Sequence, residues 1–309
     1  MKKCSILFLC LAVVFSLNAC ASRNAGKTSG TASSQEGKVK VSVTFDAMKE
    51  FASAVGGNRV EISTIIPDGT EPHDFEPKAQ DLKALSAADV FIYNGFGMES
   101  WADEAVSAAD NPKLVAVEAS KGADPITNTD KGAIAEHGQY DPHLWLSLKG
   151  AKIEAENIRD GLIQADPDHA AEYRKNCSGF VGKLQTLYQE YSRKFRTVGK
   201  KSIVTGHAAF GYLCRDFGLT QNSVENVFAE GEPSARQLTE LVKYCRKNQV
   251  KTIFAEELAS PEVSRTLADE VGAKVKTIYT VESAEGGKTY LERVSANLAE
   301  IYESVRQSK

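Results

Sequence analysis

The chain contains few histidines and cysteines, which are the commonest protein ligands of zinc. Its 309 residues include 5 histidines and 6 cysteines. The cysteines form no CxxC element, so a thiolate metal site is not expected. The sequence also lacks an HExxH motif, a nucleophile elbow and a phosphate-binding glycine loop. These absences argue against the commonest metallohydrolases, serine hydrolases and nucleotide-binding enzymes.

An excess of basic charge is missing as well. Its 37 lysines and arginines are opposed by 41 aspartates and glutamates, which gives a formal net charge of -4. Because phosphate binding needs concentrated positive charge, we expect no nucleic acid among the partners. A hydrophobic content of 42% with 25% charged residues is ordinary for a globular protein, and no internal repeat stands out. The length suits one large or two medium domains.

Long apolar runs are absent beyond the first twenty residues. Lys2 and Lys3 precede the run ILFLCLAVVFSL, which is too short to span a bilayer. This pattern is typical of a signal peptide, here residues 1–19, rather than of an uncleaved anchor. The stretch LNAC that follows resembles the bacterial lipobox, and the resemblance implies that Cys20 carries lipid.

The stretch after Cys20 contains no large apolar side chains. Residues 21–37 read ASRNAGKTSGTASSQEG, a composition that cannot repay the entropy of ordering. We therefore expect residues 20–37 to be a lipidated, disordered tether. The mature protein would then lie on the outer face of the cytoplasmic membrane, attached through its lipid anchor. In that oxidising setting a disulfide between Cys214 and Cys245 can form, while Cys177 would have no partner.

The rest of the chain alternates short β-branched runs with amphipathic stretches. This alternation predicts an α/β fold with mostly parallel sheets flanked by helices. Strands are predicted over residues 39–45, 60–66, 90–95, 113–118, 201–206, 251–256 and 274–281. Helices are predicted from Asp46 as cap, from Pro77 to Ala87, over 147–164, 168–198 and 234–248, and after residues 207, 260 and 282.

One predicted helix is much longer than the others. Apolar residues recur at spacings of three and four from Asp168 to about Val198. We therefore expect two α/β lobes, over residues 38–166 and 200–309, joined by one long rigid helix over 167–199.

Three of the five histidines follow predicted strands or precede a predicted helix. His73 and His207 come after strands, His143 lies between a long polar loop and a helix, and Glu282 follows the last strand. In parallel sheets ligands collect at the carboxyl ends of strands, so these residues could converge in a crevice between the lobes. Carboxylates lie near the histidines in sequence and could fix their tautomers: Glu71, Asp74, Glu76 and Asp141.

Several stretches resemble the zinc-uptake solute-binding lipoproteins, which serve zinc and manganese ABC importers. They are PDGTEPHDFEP, DPHLWLS, VTGHAAFGYLCRDFGL, EGEPSARQL and IFAEELASPEVSRTLADEVGA, in the family's order. The resemblance implies two lobes joined by a rigid helix, with the ion between them. It places the three histidine ligands on His73, His143 and His207.

The resemblance assigns the fourth ligand less directly. Many members use an aspartate where Tyr279 and Thr280 stand here, whereas a subgroup that includes streptococcal laminin-binding lipoproteins uses a glutamate in an Ile-Glu-Ser context. The stretch TVES matches that context, so Glu282 is the expected ligand, with a water molecule as the alternative. Many zinc members also carry a histidine-rich loop; here the loop holds only His137, an accessory contact at most.

Three imidazoles and one carboxylate form a four-coordinate shell that suits Zn²⁺. Manganese, which favours more oxygen ligands, is the alternative. We thus expect a monomeric zinc receptor for an ABC permease and not an enzyme. The rival of another class is a three-histidine zinc hydrolase with water as fourth ligand. Adhesion to host tissue and chelate binding are further alternatives, for which no sequence feature speaks.

Overall fold

The structure, a computed structural model, describes residues 37–307 except 130–133, 135–137, 200, 228, 230–233, 257, 259 and 260. The predicted signal peptide, Cys20 and nearly all of the predicted tether lie outside the described residues. The described residues from Lys38 onward form one compact unit. Among the described residues, no helix has both the length and the apolar character that crossing a membrane requires.

The first sheet has four parallel strands in the order β2-β1-β3-β4. The strands are β1 Val39–Val43, β2 Val60–Thr64, β3 Val90–Tyr93 and β4 Val115–Glu118. Val41 pairs with Ile62 on one side and with Val90 on the other, so β1 is interior. The interior strand β3 is apolar on both faces, because Val90 and Ile92 pack into one apolar cluster and Phe91 into another, as expected when helices cover both sides of a parallel sheet.

The second sheet repeats this arrangement, in the order β6-β5-β7-β8 and again fully parallel. The strands are β5 Ser202–Thr205, β6 Thr220–Ser223, β7 Thr252–Glu256 and β8 Lys274–Ile278. Sequence reasoning missed β6, because its residues Thr-Gln-Asn-Ser are polar and carry no alternating apolar signal. As an edge strand it pairs only with β5, so it needs no second apolar face.

Nine α-helices of the described chain connect or cover these strands. They are α1 Asp46–Gly56, α2 Ala79–Leu82, α3 Ala102–Ala108, α4 Leu148–Ala165, α5 Ala170–Phe195, α6 Gly211–Phe217, α7 Ala235–Asn248, α8 Glu262–Val271 and α9 Tyr290–Gln307. The sequence did not predict α3. The helix expected from Pro77 to Ala87 was partly wrong, since α2 has four residues and continues as a 3₁₀ turn over Lys83–Ala87.

The long helix is α5, with 26 residues and therefore a length of about 39 Å. A 3₁₀ turn over Pro167–His169 leads into it, so the predicted start at Asp168 lies within one turn of the observed start. The helix buries one face: Tyr173, Cys177, Phe180, Val181, Leu184, Tyr191 and Phe195. These side chains belong to one apolar cluster that also contains Val41 of the first sheet and Phe254 of the second. The long helix thus packs into a core that both lobes share.

The three described cysteines are free and buried. Cys214 lies in the shared core, whereas Cys245 lies in a separate apolar cluster of the second lobe. The disulfide considered from the sequence is therefore not formed. Burial raises the pKa of the Cys245 thiol to about 11, and it also raises the pKa of the Cys214 thiol. These side chains act as small apolar core residues.

Candidate metal centre

Residues that follow strands of both sheets meet at one point between the lobes. In each sheet the chain starts at an interior strand, adds a strand on one side and then crosses to the other side. The strand order therefore reverses at one point of each sheet, and ligands of parallel sheets bind at the carboxyl ends of the strands beside such a point. His73 follows β2, His207 follows β5 and Glu282 follows β8. His143 immediately precedes the 3₁₀ turn Leu144–Leu146 that leads to α4.

The structure brings all four predicted side chains together. One potential ligand atom from each of His73, His143, His207 and Glu282 lies within 4.8 Å of all the others. The Nε2 atom of His143 is 3.1 Å from Nε2 of His73 and 3.3 Å from Nε2 of His207. It is 3.7 Å from Oε1 of Glu282.

The three separations from His143 Nε2 are close to the edge length of a small coordination tetrahedron. Four ligands at about 2.0–2.1 Å from a central zinc would stand about 3.3–3.4 Å apart. The three distances measured from His143 Nε2 span 3.1–3.7 Å around that value. Three imidazole nitrogens this close to one another cannot all be satisfied by hydrogen bonds among themselves. A cation placed between them can accept the lone pair of each nitrogen. The arrangement is therefore suited to one metal ion.

The centre is shielded from solvent. His143 is fully buried, and the exposed fractions of His73, His207 and Glu282 are 9%, 3% and 4%. Burial, followed by the electrostatic interaction with the neighbouring His143 ring, lowers the pKa of His207 well below its ordinary value. The His207 ring is therefore neutral near pH 7, which is the form that binds a metal.

A buried carboxylate fixes the orientation of the His143 ring. Asp141 Oδ1 lies 2.9 Å from His143 Nδ1 and also accepts a hydrogen bond of 2.9 Å from the His143 backbone N. The Nδ1 atom therefore carries the proton, and Nε2 presents its lone pair to the other ligands. Tyr212 of α6 donates to the Asp141 carbonyl at 2.7 Å, so the second lobe helps to hold this loop of the first.

A second carboxyl group, not predicted from the sequence, holds His207. Glu256 at the end of β7 accepts a hydrogen bond of 3.1 Å from the His207 backbone N, and its Oε1 lies 3.7 Å from Nδ1 of the ring. A Cβ on Gly206 would stand 1.9 Å from Glu256 Oε2, so a larger residue there would displace the Glu256 carboxylate. The signal that could have found Glu256 is its place at a strand's carboxyl end beside the strand of His207.

The Glu282 carboxylate is held on a strained turn. Thr280 Oγ1 donates to Glu282 Oε2 at 2.8 Å, which leaves Oε1 toward His143. Between them Val281 has φ 61°, in the left-handed region that β-branched residues avoid. Such a conformation costs on the order of 1–3 kcal/mol and persists only where the surroundings fix it.

Other candidates from the sequence lie elsewhere. Asp74 and Glu76 are exposed, as residues of a solvated loop, while Glu71 accepts a hydrogen bond of 3.4 Å from the His73 backbone N. His137 lies outside the described residues. His169 is 2.8 Å from Asp166 ahead of α5 and takes no part in the cluster. Together, Asp141, Glu256 and Glu282 give the centre a negative bias that favours a divalent cation.

Comparisons with known proteins match the chain to zinc-uptake proteins. The family model described as zinc-uptake complex component A, periplasmic, matches residues 41–304. A Treponema pallidum (strain Nichols) protein, described only as metal-binding, is 42% identical over 98% of this chain and 96% of its own length. The high-affinity zinc uptake system protein ZnuA of Bacillus subtilis (strain 168) is 34% identical over 98% of both chains.

A solved structure supports the same relationship. The crystal structure of Zn(II)-bound AdcA from Streptococcus pneumoniae superposes with a TM-score of 0.75 and is 33% identical. The match covers 88% of this chain and 59% of that chain. The predicted fold class, two parallel α/β lobes with one long helix, is confirmed by the architecture and by this neighbour.

Proposed function

Since the chain belongs to the zinc-uptake complex component A family, we propose that it is an extracytoplasmic zinc receptor that delivers Zn²⁺ to an ABC importer. The observation that carries the proposal is the convergence of three histidines and one glutamate within 4.8 Å of one another. Relatives that are named zinc uptake and zinc-binding proteins support the choice of ion. In this proposal His73, His143, His207 and Glu282 are the ligands.

The ligand set favours zinc over manganese. Three imidazole nitrogens and one carboxylate oxygen form a closed tetrahedral shell, whereas Mn²⁺ favours more oxygen ligands. A closed shell also leaves no position for a water nucleophile, which separates this site from three-histidine zinc hydrolases. The family consists of solute-binding receptors, and a receptor needs capture without chemistry.

Capture and release follow from where the ligands originate. His73 and His143 belong to the first lobe, while His207 and Glu282 belong to the second. Docking on the permease would separate the lobes slightly and thereby break a shell that neither lobe can complete alone. The shared core around α5 keeps that motion small. The ion would pass to the permease when the histidines of the two lobes part.

Lipid attachment through Cys20 is part of the proposal, and so is a monomeric state on the outer face of the cytoplasmic membrane. The lipobox-like stretch LNAC supports the anchor, and one relative is named a zinc-binding lipoprotein. Cells that express a Cys20→Ala variant should release the protein in soluble form, while the unaltered chain should stay in the membrane fraction. Equal release of both proteins would rule out the anchor.

Competition between metals tests the choice of ion. The protein from residue 20 onward, stripped of metal, should bind one zinc per chain, and a large excess of manganese should fail to displace it. Isothermal titration with a competing chelator gives both dissociation constants. Tighter binding of manganese than of zinc would reverse the assignment, and the absence of binding by either ion would overturn the receptor role.

Zinc affinity should fall as the solution is acidified. The neutral imidazole is the binding form, so protons compete with the metal. Because the pKa of His207 is lowered by burial, this ring resists protonation to a lower pH than an exposed histidine does. We expect a nearly constant affinity between about pH 7 and 8 and a steep loss below about pH 6. Zinc affinity that stays constant down to about pH 4.5 would contradict imidazole ligation.

A further inference from the structure

A buried ion pair between the two lobes holds the backbone at Glu282 and at the residue after it. Arg293 of α9 contacts the Asp46 carboxylate of α1 through Nη2, and their side chains are 1% and 3% exposed. Arg293 Nη1 donates to the Ser283 carbonyl at 2.7 Å. The Asp46 backbone N donates to the Glu282 carbonyl at 3.3 Å. Two successive carbonyls of the Glu282 turn are thus held by the two members of one pair.

This turn needs such support. Val281, at φ 61°, has a backbone conformation that its β-branched side chain disfavours, so the surroundings must enforce it. Trp145 Nε1 donates to the Thr280 carbonyl at 2.7 Å, and the Gly69 backbone N donates to Ser283 Oγ at 2.8 Å. The first lobe therefore forms hydrogen bonds with the turn both before and after Glu282. The buried ion pair adds a charged contact to these hydrogen bonds.

A contribution to the free energy of folding does not by itself explain why a charged pair is buried here. Buried ion pairs are weak evidence for stability, since apolar residues of similar volume can often replace them without loss. An apolar side chain could not donate to the Ser283 carbonyl. The planar fork of arginine reaches the carbonyl and the carboxylate at the same time, which the single nitrogen of lysine does less well.

We infer that Arg293 and Asp46 are positioning residues that aim the Glu282 carboxylate at the histidines. The inference rests on the proposed function, because it needs Glu282 to be a zinc ligand. The pair does not touch the ion. It fixes the turn across the lobe boundary, so that the carboxylate of one lobe is placed by a contact with the other. Loss of the pair should therefore act on zinc through Glu282 alone.

The test compares zinc affinity in single and double variants of the protein from residue 20 onward. Arg293→Met keeps the volume and removes both hydrogen bonds, and it should raise the zinc dissociation constant by roughly 10–100-fold, as loss of a partner behind a ligand does. Arg293→Lys should lie between the unaltered protein and Arg293→Met. The matched control is Arg246→Met, which breaks an exposed pair with Glu270 and should change the constant less than about twofold.

A double variant separates positioning from general support. In the Glu282→Ala background, Arg293→Met should raise the dissociation constant by less than about twofold more, because the residue it positions is gone. The Co²⁺-loaded Arg293→Met protein should also show the altered visible spectrum of the Co²⁺-loaded Glu282→Ala protein. An equal loss in both backgrounds, or a Co²⁺ spectrum like that of the unaltered protein, would overturn the inference.

Two controls complete the comparison. If Arg293→Met fails to fold by circular dichroism, Arg293→Lys carries the same cycle, and an unchanged dissociation constant in that variant overturns the inference. Failure of the unaltered protein to bind zinc would instead overturn the proposed function. A third outcome is that the unaltered protein binds zinc tightly, Glu282→Ala weakens the binding and Arg293→Met leaves it unchanged. That result would support the proposed function and overturn only the positioning role of Arg293.

Discussion

Replacing His143 with alanine is expected to weaken zinc binding by more than about 100-fold, since partners that only support a ligand already account for 10–100-fold. His143 Nε2 lies within 3.7 Å of a ligand atom from each of the other three side chains of the proposed shell. The substitution also leaves Asp141 without its ring partner. Chelator competition at about pH 7.5 measures the dissociation constant.

The matched control for this prediction is His169→Ala. That histidine pairs with Asp166 ahead of the long helix and lies outside the cluster, so its loss should change zinc affinity less than about twofold. Circular dichroism of both variants verifies that they are folded. Zinc binding by His143→Ala that is as tight as that of His169→Ala would show that the ion is held elsewhere.

Trp145→Ala is expected to lower the free energy of unfolding by about 3–5 kcal/mol, the usual range for truncation of a buried tryptophan. The side chain is fully buried, packs edge-on against Phe45 with ring centroids 4.8 Å apart, and donates from Nε1 to the Thr280 carbonyl. It therefore joins the first lobe to the turn that precedes Glu282. Urea denaturation of the metal-free protein, followed by circular dichroism, measures the loss.

The chain's other tryptophan supplies the control for that measurement. Trp101 is only partly buried and lies at the margin of a smaller apolar cluster, so Trp101→Ala should cost clearly less. Metal must be absent in both cases, because bound zinc adds stability that grows with the logarithm of its concentration and affinity. Equal losses for the two variants would mean that Trp145 does not join the lobes.

The general architecture could be predicted because strands and helices produce periodic patterns of apolar residues within short stretches of the sequence. Buried strands such as Val39–Val43 appear as β-branched runs, and the long helix appears as apolar residues at spacings of three and four. The ligands followed from the same patterns, since His207 comes just after β5 and Glu282 comes after β8. Parallel strands bring their carboxyl ends to one edge, so residues distant in sequence were expected to meet.

What sequence reasoning missed depends on contacts between distant segments. The strand Thr220–Ser223 has no apolar alternation and forms because β5 offers a free edge. Asp46 was expected to cap α1, yet the cap position is Phe45 and the Asp46 carboxylate contacts Arg293, far along the chain. In the sequence Glu256 is only the last residue of a predicted strand. Its contact with His207 depends on the pairing of β5 with β7. No local pattern encodes these pairings.

The most direct test of the central claim is an anomalous-scattering measurement on zinc-loaded crystals, with data collected on both sides of the zinc absorption edge. The account predicts one strong peak per chain, about 2.0–2.2 Å from Nε2 of His73, His143 and His207 and from one oxygen of Glu282. A zinc peak away from these four side chains, or a crevice without a peak in crystals of the loaded protein, would contradict it.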